Sequence, residues 1–68
     1  MTNEELRELP EVKEAIERLK KRYDPDEMTT DEDMGVWVNP DSHAIFTAES
    51  NDPIRGCVLV YSVIDGEL

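Results

Sequence analysis

Apolar residues near the start of the chain recur at Leu6, Leu9, Val12, Ile16, Leu19 and Tyr23. Steps of three and four place such residues in one stripe along a helix. Thr2 followed by Glu5 is a capping box, in which each residue satisfies an orphan amide of the other at a helix start. Pro10 interrupts the stripe. Proline lacks an amide donor and clashes with the preceding turn, so it belongs in a first turn. The pattern predicts a short turn over residues 3–8 and a main helix over residues 10–23. Acids come early in this stretch and Lys20, Lys21 and Arg22 come last, an order that complements the helix dipole. Glu14 with Arg18 and Glu17 with Lys21 stand at the four-residue spacing that favours ion pairing. Asp24-Pro25 stops the helix, because a residue before proline disfavours helical angles.

Beyond residue 33 the period changes to two. Met34 to Asn39 reads as a strand, with Val36 and Val38 on one face and Trp37 on the other. Asn39-Pro40-Asp41-Ser42 has the composition of a type I turn, and His43 to Ala48 reads as the return strand. Glu49 to Gly56 is a longer turn. Cys57 to Ile64 is apolar on both faces apart from Ser62, which suits a central strand, and Asp65-Gly66 ends it. Residues 24–33 carry six acids and no base and read as a loop, with Thr30 placed to start one helical turn. The prediction is a single α+β domain: an N-terminal helix over residues 3–23, an acidic linker over 24–33, and a three-stranded antiparallel sheet over 34–64. The helix stripe and one sheet face would share a core. The other face, with Trp37 and some of Phe46, Leu59 and Tyr61, is either a partner surface or is hidden by a loop or the strand order.

Charge changes this picture more than composition does. With 68 residues, 38% of them hydrophobic, the chain supports one domain with a small core. Residues 1–23 balance six acids with six bases, whereas residues 24–68 set 11 acids against the single base Arg55 and hold the whole net charge of −10. Such a field repels nucleic acid and anionic lipid and attracts basic surfaces, of which the commonest are those built to hold nucleic acid. One cysteine, Cys57, permits no internal disulfide, and Met1–Glu5 lacks the basic region and apolar run of a signal peptide. The longest nearly apolar run, Cys57 to Ile64, is too short to span a bilayer. A soluble cytoplasmic protein is expected.

Catalytic chemistry finds little footing. A calcium loop needs oxygen ligands at its first, third and fifth positions and glycine at its sixth. Started at Asp24, the fifth position is Met28; started at Asp31, it is Gly35. His43 and Cys57 would form a nucleophilic pair only if the sheet set them face to face, and a negative field raises a thiol pKa. No carboxylate is set apart by an apolar environment, as acid–base catalysis requires. The run Lys20-Lys21-Arg22 is followed at once by acids that screen it, and Trp37 and Tyr61 lack the basic surround of a base-stacking platform. The chain therefore reads as non-enzymatic, with no cofactor and no metal. What remains is an array of loop carboxylates: Asp24, Asp26, Glu27, Asp31, Glu32 and Asp33, extended by Asp41, Glu49 and Asp52, with Asp65 and Glu67 also in loops. Carboxylates projected from loops can reproduce the spacing of phosphates and pair with Lys and Arg in a DNA-binding groove. Acids that serve only solubility are the competing account.

In size, acidity, a single short helix before a small antiparallel sheet, and lack of catalytic residues, the chain resembles the small phage-encoded, DNA-mimicking anti-CRISPR proteins. The resemblance implies an inhibitor in the host cytoplasm, monomeric or weakly dimeric, that binds a basic nucleic-acid-binding surface of a CRISPR–Cas complex and blocks target DNA. Two further classes stand beside it. One is an antitoxin-, immunity- or regulatory-type interaction module using the sheet face around Trp37; the other is a divalent-cation binder.

Overall fold

The computed structural model describes residues Met1–Leu68. Two helices open the chain, α1 over Asn3–Arg7 and α2 over Pro10–Arg22. The capping box is formed in both directions: the Thr2 amide donates to Glu5 Oε1 at 2.9 Å and the Glu5 amide to Thr2 Oγ1 at 3.2 Å. Leu9 is extended, and Pro10 takes the first position of α2, so the helices part where proline removes a donor. Glu14 pairs with Arg18 at 3.0 Å, but Glu17 pairs with Lys20 at 3.7 Å, not with Lys21. Lys20 faces the sheet, its ammonium 5.7 Å from the centre of the Tyr61 ring, and the three-residue spacing brings Glu17 to it there.

The acidic segment forms one 3₁₀ turn, Pro25–Glu27. It starts at Asp24, whose carboxylate accepts the Asp26 amide at 3.0 Å, and not at Thr30. An acidic cap followed by proline is the stronger helix start.

The sheet has four strands, one more than the periodicity predicts: β1 Met34–Val38, β2 Ile45–Glu49, β3 Val58–Ser62 and β4 Gly66–Glu67, in the order β2-β1-β3-β4 with antiparallel neighbours. Asp65-Gly66 is a hairpin corner and not simply a strand end: Gly66 has φ 78°, the Asp65 amide donates to Ser62 Oγ at 3.1 Å, and the chain returns along β3. β2 begins two residues later than the sequence suggests and includes Glu49. Its turn is longer because Asn39 Oδ1 accepts the amides of Asp41 and Ser42, and His43, at φ 63°, closes the loop.

Val36 and Val38 face the helices and pack with Leu6, Val12, Ile16 and Leu19. The register between β1 and β3 slips between Val36 and Trp37, leaving Val60 as an extra residue in β3. This bulge lets consecutive residues, Val60 and Tyr61, both join the core. Tyr61 therefore sits on the helix side, not on the outer face.

β2 and β3 both run antiparallel to β1 between them, so the connection 50–57 must travel back along β1. The helices occupy one face, and the crossover takes the other. Trp37 is consequently only 6% exposed, and its Nε1 donates to the Glu49 carbonyl at 3.2 Å. Of the possibilities for this face, cover by a loop is the one observed at Trp37, while Phe46 on the same face stays 45% exposed.

Candidate functional site

Asp33 departs from the rest of the acidic run. It is 3% exposed; Oδ2 accepts the Ser50 hydroxyl at 2.8 Å, Oδ1 accepts the Ile64 amide at 3.1 Å, and its carbonyl accepts the Ser50 amide at 2.8 Å. One carboxylate thus ties the start of β1 to the ends of β2 and β3. It cannot contact a partner, and we remove Asp33 from the candidate binding surface.

That tie determines what surrounds it. Asp31 and Glu32 precede Asp33 directly, and Glu49 stands opposite Met34 in the β1–β2 ladder. The Asp52 amide donates to the Glu49 carbonyl at 3.2 Å, and Asp65 follows Ile64, whose amide Asp33 holds. Asp31, Glu32, Glu49, Asp52 and Asp65 are all exposed and share one end of the sheet. The sequence marks Asp65 only as a further loop acid, since only strand pairing reveals where its turn lies. Asp24, Asp26 and Glu27 are exposed on the 3₁₀ turn between α2 and this end. Asp41 sits at the tip of the β1–β2 hairpin, at the other end. At about 3.3 Å per residue, a five-residue strand separates the two ends by about 13 Å. Asp41 is therefore not part of the main group.

Pairing divides the molecule in the same way as its net charge. Three of the six acids in residues 1–23 find a base close by: Glu8 meets Lys13 at 3.1 Å, beside the Glu14–Arg18 and Glu17–Lys20 pairs, while Glu4, Glu5 and Glu11 meet none. Of the acids past Tyr23, only Glu67 meets a base, Arg7 at 3.9 Å. The exposed carboxylates at the sheet end have no cation partner. The Glu5 carboxylate is held below the ordinary carboxylate value, first by the Thr2 amide and then by the Thr2 hydroxyl.

Sequence reading also missed the Arg7–Asn3 clamp. Arg7 Nη1 donates to the Val60 carbonyl at 3.1 Å and to the main-chain oxygen of Leu68, while Asn3 Nδ2 donates to the Leu59 carbonyl and to Leu68, both at 3.0 Å. Nothing in the local sequence distinguishes these two from ordinary helix-surface residues.

The larger recess, about 570 Å³, lies between the helices and β4 and includes Arg7, Glu8, Lys13, Glu17, Lys20 and Glu67. All of these charges are paired; Glu4, at the rim of the same recess, is the one acid there without a base. His43 is exposed at the hairpin tip and Cys57 half-buried before β3, and the hydrogen bonds of this region do not link their side chains. No three His, Cys, Asp or Glu side chains are grouped to hold a metal ion. No helix is long and apolar enough to cross a membrane. The exposed array can do one thing strongly, which is to accept hydrogen bonds and charge from a basic surface. Comparison with family models, curated proteins and solved structures gives no match.

Proposed function

We propose that this chain is a non-enzymatic DNA mimic: a cytoplasmic protein, monomeric or weakly dimeric, that binds the basic nucleic-acid-binding surface of a bacterial CRISPR–Cas complex and blocks DNA there. The observation that carries the reading is the contrast in pairing. Residues 1–23 sum to zero charge and pair three of their six acids, whereas Asp24, Asp26, Glu27, Asp31, Glu32, Glu49 and Asp52 are exposed, meet no base and have almost no cation near them in sequence. Asp31, Glu32 and Glu49 are attached to the ends of paired strands, so less ordering entropy is lost on binding than from a flexible acidic tail. The module reading built on Trp37 loses its central residue to the crossover and keeps only exposed Phe46 on that face.

The test is displacement of labelled target DNA from a purified effector complex at low and physiological salt. The parent chain displaces DNA, and less well as salt rises. Exposed ion pairs contribute about 0.2–1 kcal/mol each, so reversing two carboxylates removes two attractions and adds two repulsions. Asp31→Lys with Glu32→Lys is expected to weaken displacement about tenfold, equivalent to about 1.4 kcal/mol. Displacement by the double variant equal to that of the parent would reduce the acidic segment to a solubilising role.

A further inference from the structure

The two edges of this sheet are treated differently. On the β3 side every outward carbonyl over Leu59–Ser62 is engaged: β4 pairs with Tyr61 and Ser62, the Leu68 amide donates to Val60, and Asn3 and Arg7 reach Leu59 and Val60. β4 itself is two residues long, too short to template another strand. On the β2 side nothing comparable is present. The Asn39 amide donates to the Ala44 carbonyl and the Ser50 amide to the Asp33 carbonyl, and these bonds fix the phase of the β1–β2 ladder. Alternation then turns the main-chain groups of Phe46 and Ala48 toward β1 and those of Ile45, Thr47 and Glu49 outward. The Glu49 carbonyl is occupied by Trp37 and Asp52; no hydrogen bond outside the regular elements, and none from a side chain, engages Ile45 or Thr47. β2 contains no proline, lysine or bulge, the devices that usually blunt an exposed edge.

We propose that the outer edge of β2 accepts an extended segment of a basic partner protein as a fifth strand. This deepens the functional reading above and rests on it for the sign of the partner. Strand addition obtains affinity from main-chain hydrogen bonds and specificity from alternate side chains. Here those alternate positions are defined. Asp41 beyond one end of β2, and Glu49 with Asp52 at the other, select basic residues at the ends of the incoming strand. Exposed Phe46 selects an apolar residue in its middle. The helix-side flank, where Thr47 neighbours Arg18 and Arg22, excludes further bases there; Arg18 is already paired with Glu14. A second copy is the wrong occupant, because each chain carries −10.

The test is an amide-resolved NMR titration of the full chain with a peptide, Lys-Lys-Val-Thr-Val-Thr-Val-Lys-Lys, against a control of equal charge with both threonines replaced by proline. The amides of Ile45 and Thr47 are expected to gain at least tenfold exchange protection with the first peptide and none with the control, while those of Phe46 and Ala48 hold steady. Thr47→Pro removes an outward donor without touching the β1 ladder, and is expected to weaken peptide binding at least fivefold. Should that variant unfold, the protection pattern in the unaltered chain decides alone. Shifts confined to residues 24–33, equal for both peptides, overturn strand addition and leave the charge-based reading standing. Failure of both peptides to bind at low salt also overturns it, with DNA displacement still deciding the broader function. Protection that appears without peptide as protein concentration rises, together with a dimer in sedimentation, assigns the edge to a second copy and overturns the proposal.

Discussion

Asp33 and Gly35, two residues apart, show how little a residue's chemistry reveals about its task. A Cβ on Gly35 would lie 2.5 Å from Leu59 Cδ1 and 2.9 Å from the Tyr61 carbonyl, so glycine is present for close approach and not for a turn. Asp33 is one of six acids in ten residues, yet only it is turned inward. Its removal has a specific consequence. Asp33→Ala leaves the Ile64 amide and the Ser50 hydroxyl without their acceptor, and a buried unsatisfied group costs about 1–3 kcal/mol. Asp33→Asn keeps an oxygen for the Ile64 amide and should lose less. Urea denaturation followed by the fluorescence of Trp37 measures both. If Asp33→Ala unfolds at the same urea concentration as the parent, its carboxylate is solvated and belongs with the surface array. Charge density along the chain could not have separated Asp33 from Asp31, because the distinction depends on where two strands distant in sequence come to an end.

At the scale of elements, legibility follows the range of the interactions. α1 and α2 were readable because their stripe, capping box and proline act within a few residues. β1 and its hairpin were readable for the same reason. β4 was not: two residues, Gly66–Glu67, carry no period, and they pair only because Gly66 can adopt φ 78° and turn the chain back. The crossover over Trp37 was not readable either, since it depends on β1 lying between β2 and β3. The best-defined local element also gives a pH prediction. Glu5 has its pKa lowered in the folded chain, chiefly by the Thr2 amide. A group depressed on folding contributes stability above its unfolded value, and this is lost as pH falls through the folded one. The contribution of the Glu5 charge is therefore present in full above pH 4.5 and disappears below it. Glu5→Gln retains a capping oxygen and abolishes the titration. The parent should exceed this variant in stability at neutral pH, and the difference should close on acidification. A gap independent of pH would assign the effect to the cap geometry alone.

For the whole molecule, charge and size together make salt act in opposite directions on stability and on binding. The Debye length is about 30 Å at 0.01 M salt and about 8 Å at 0.15 M. The chain measures 33 × 22 × 15 Å, so at low salt nearly all its carboxylates repel one another, and at physiological salt only close neighbours do. Because the net charge of −10 resides after Tyr23, where cation partners are nearly absent, screening should relieve repulsion and raise the urea midpoint over this range. The same screening should weaken capture by a basic partner. A folded chain that becomes more stable while it binds less well separates the charge-driven reading from an apolar one, in which added salt would leave binding unchanged or strengthen it. The variants locate the repulsion. Asp31→Lys with Glu32→Lys relieves a group that includes Glu49, Asp52 and Asp65, and should flatten the rise of stability with salt. Reversal of Glu4 and Glu11, on the balanced helices, should flatten it less, although both variants change the net charge equally. Equal flattening by the two would mean that the carboxylates act as a diffuse charge and not as a local array, and the mimicry proposal would lose its physical basis.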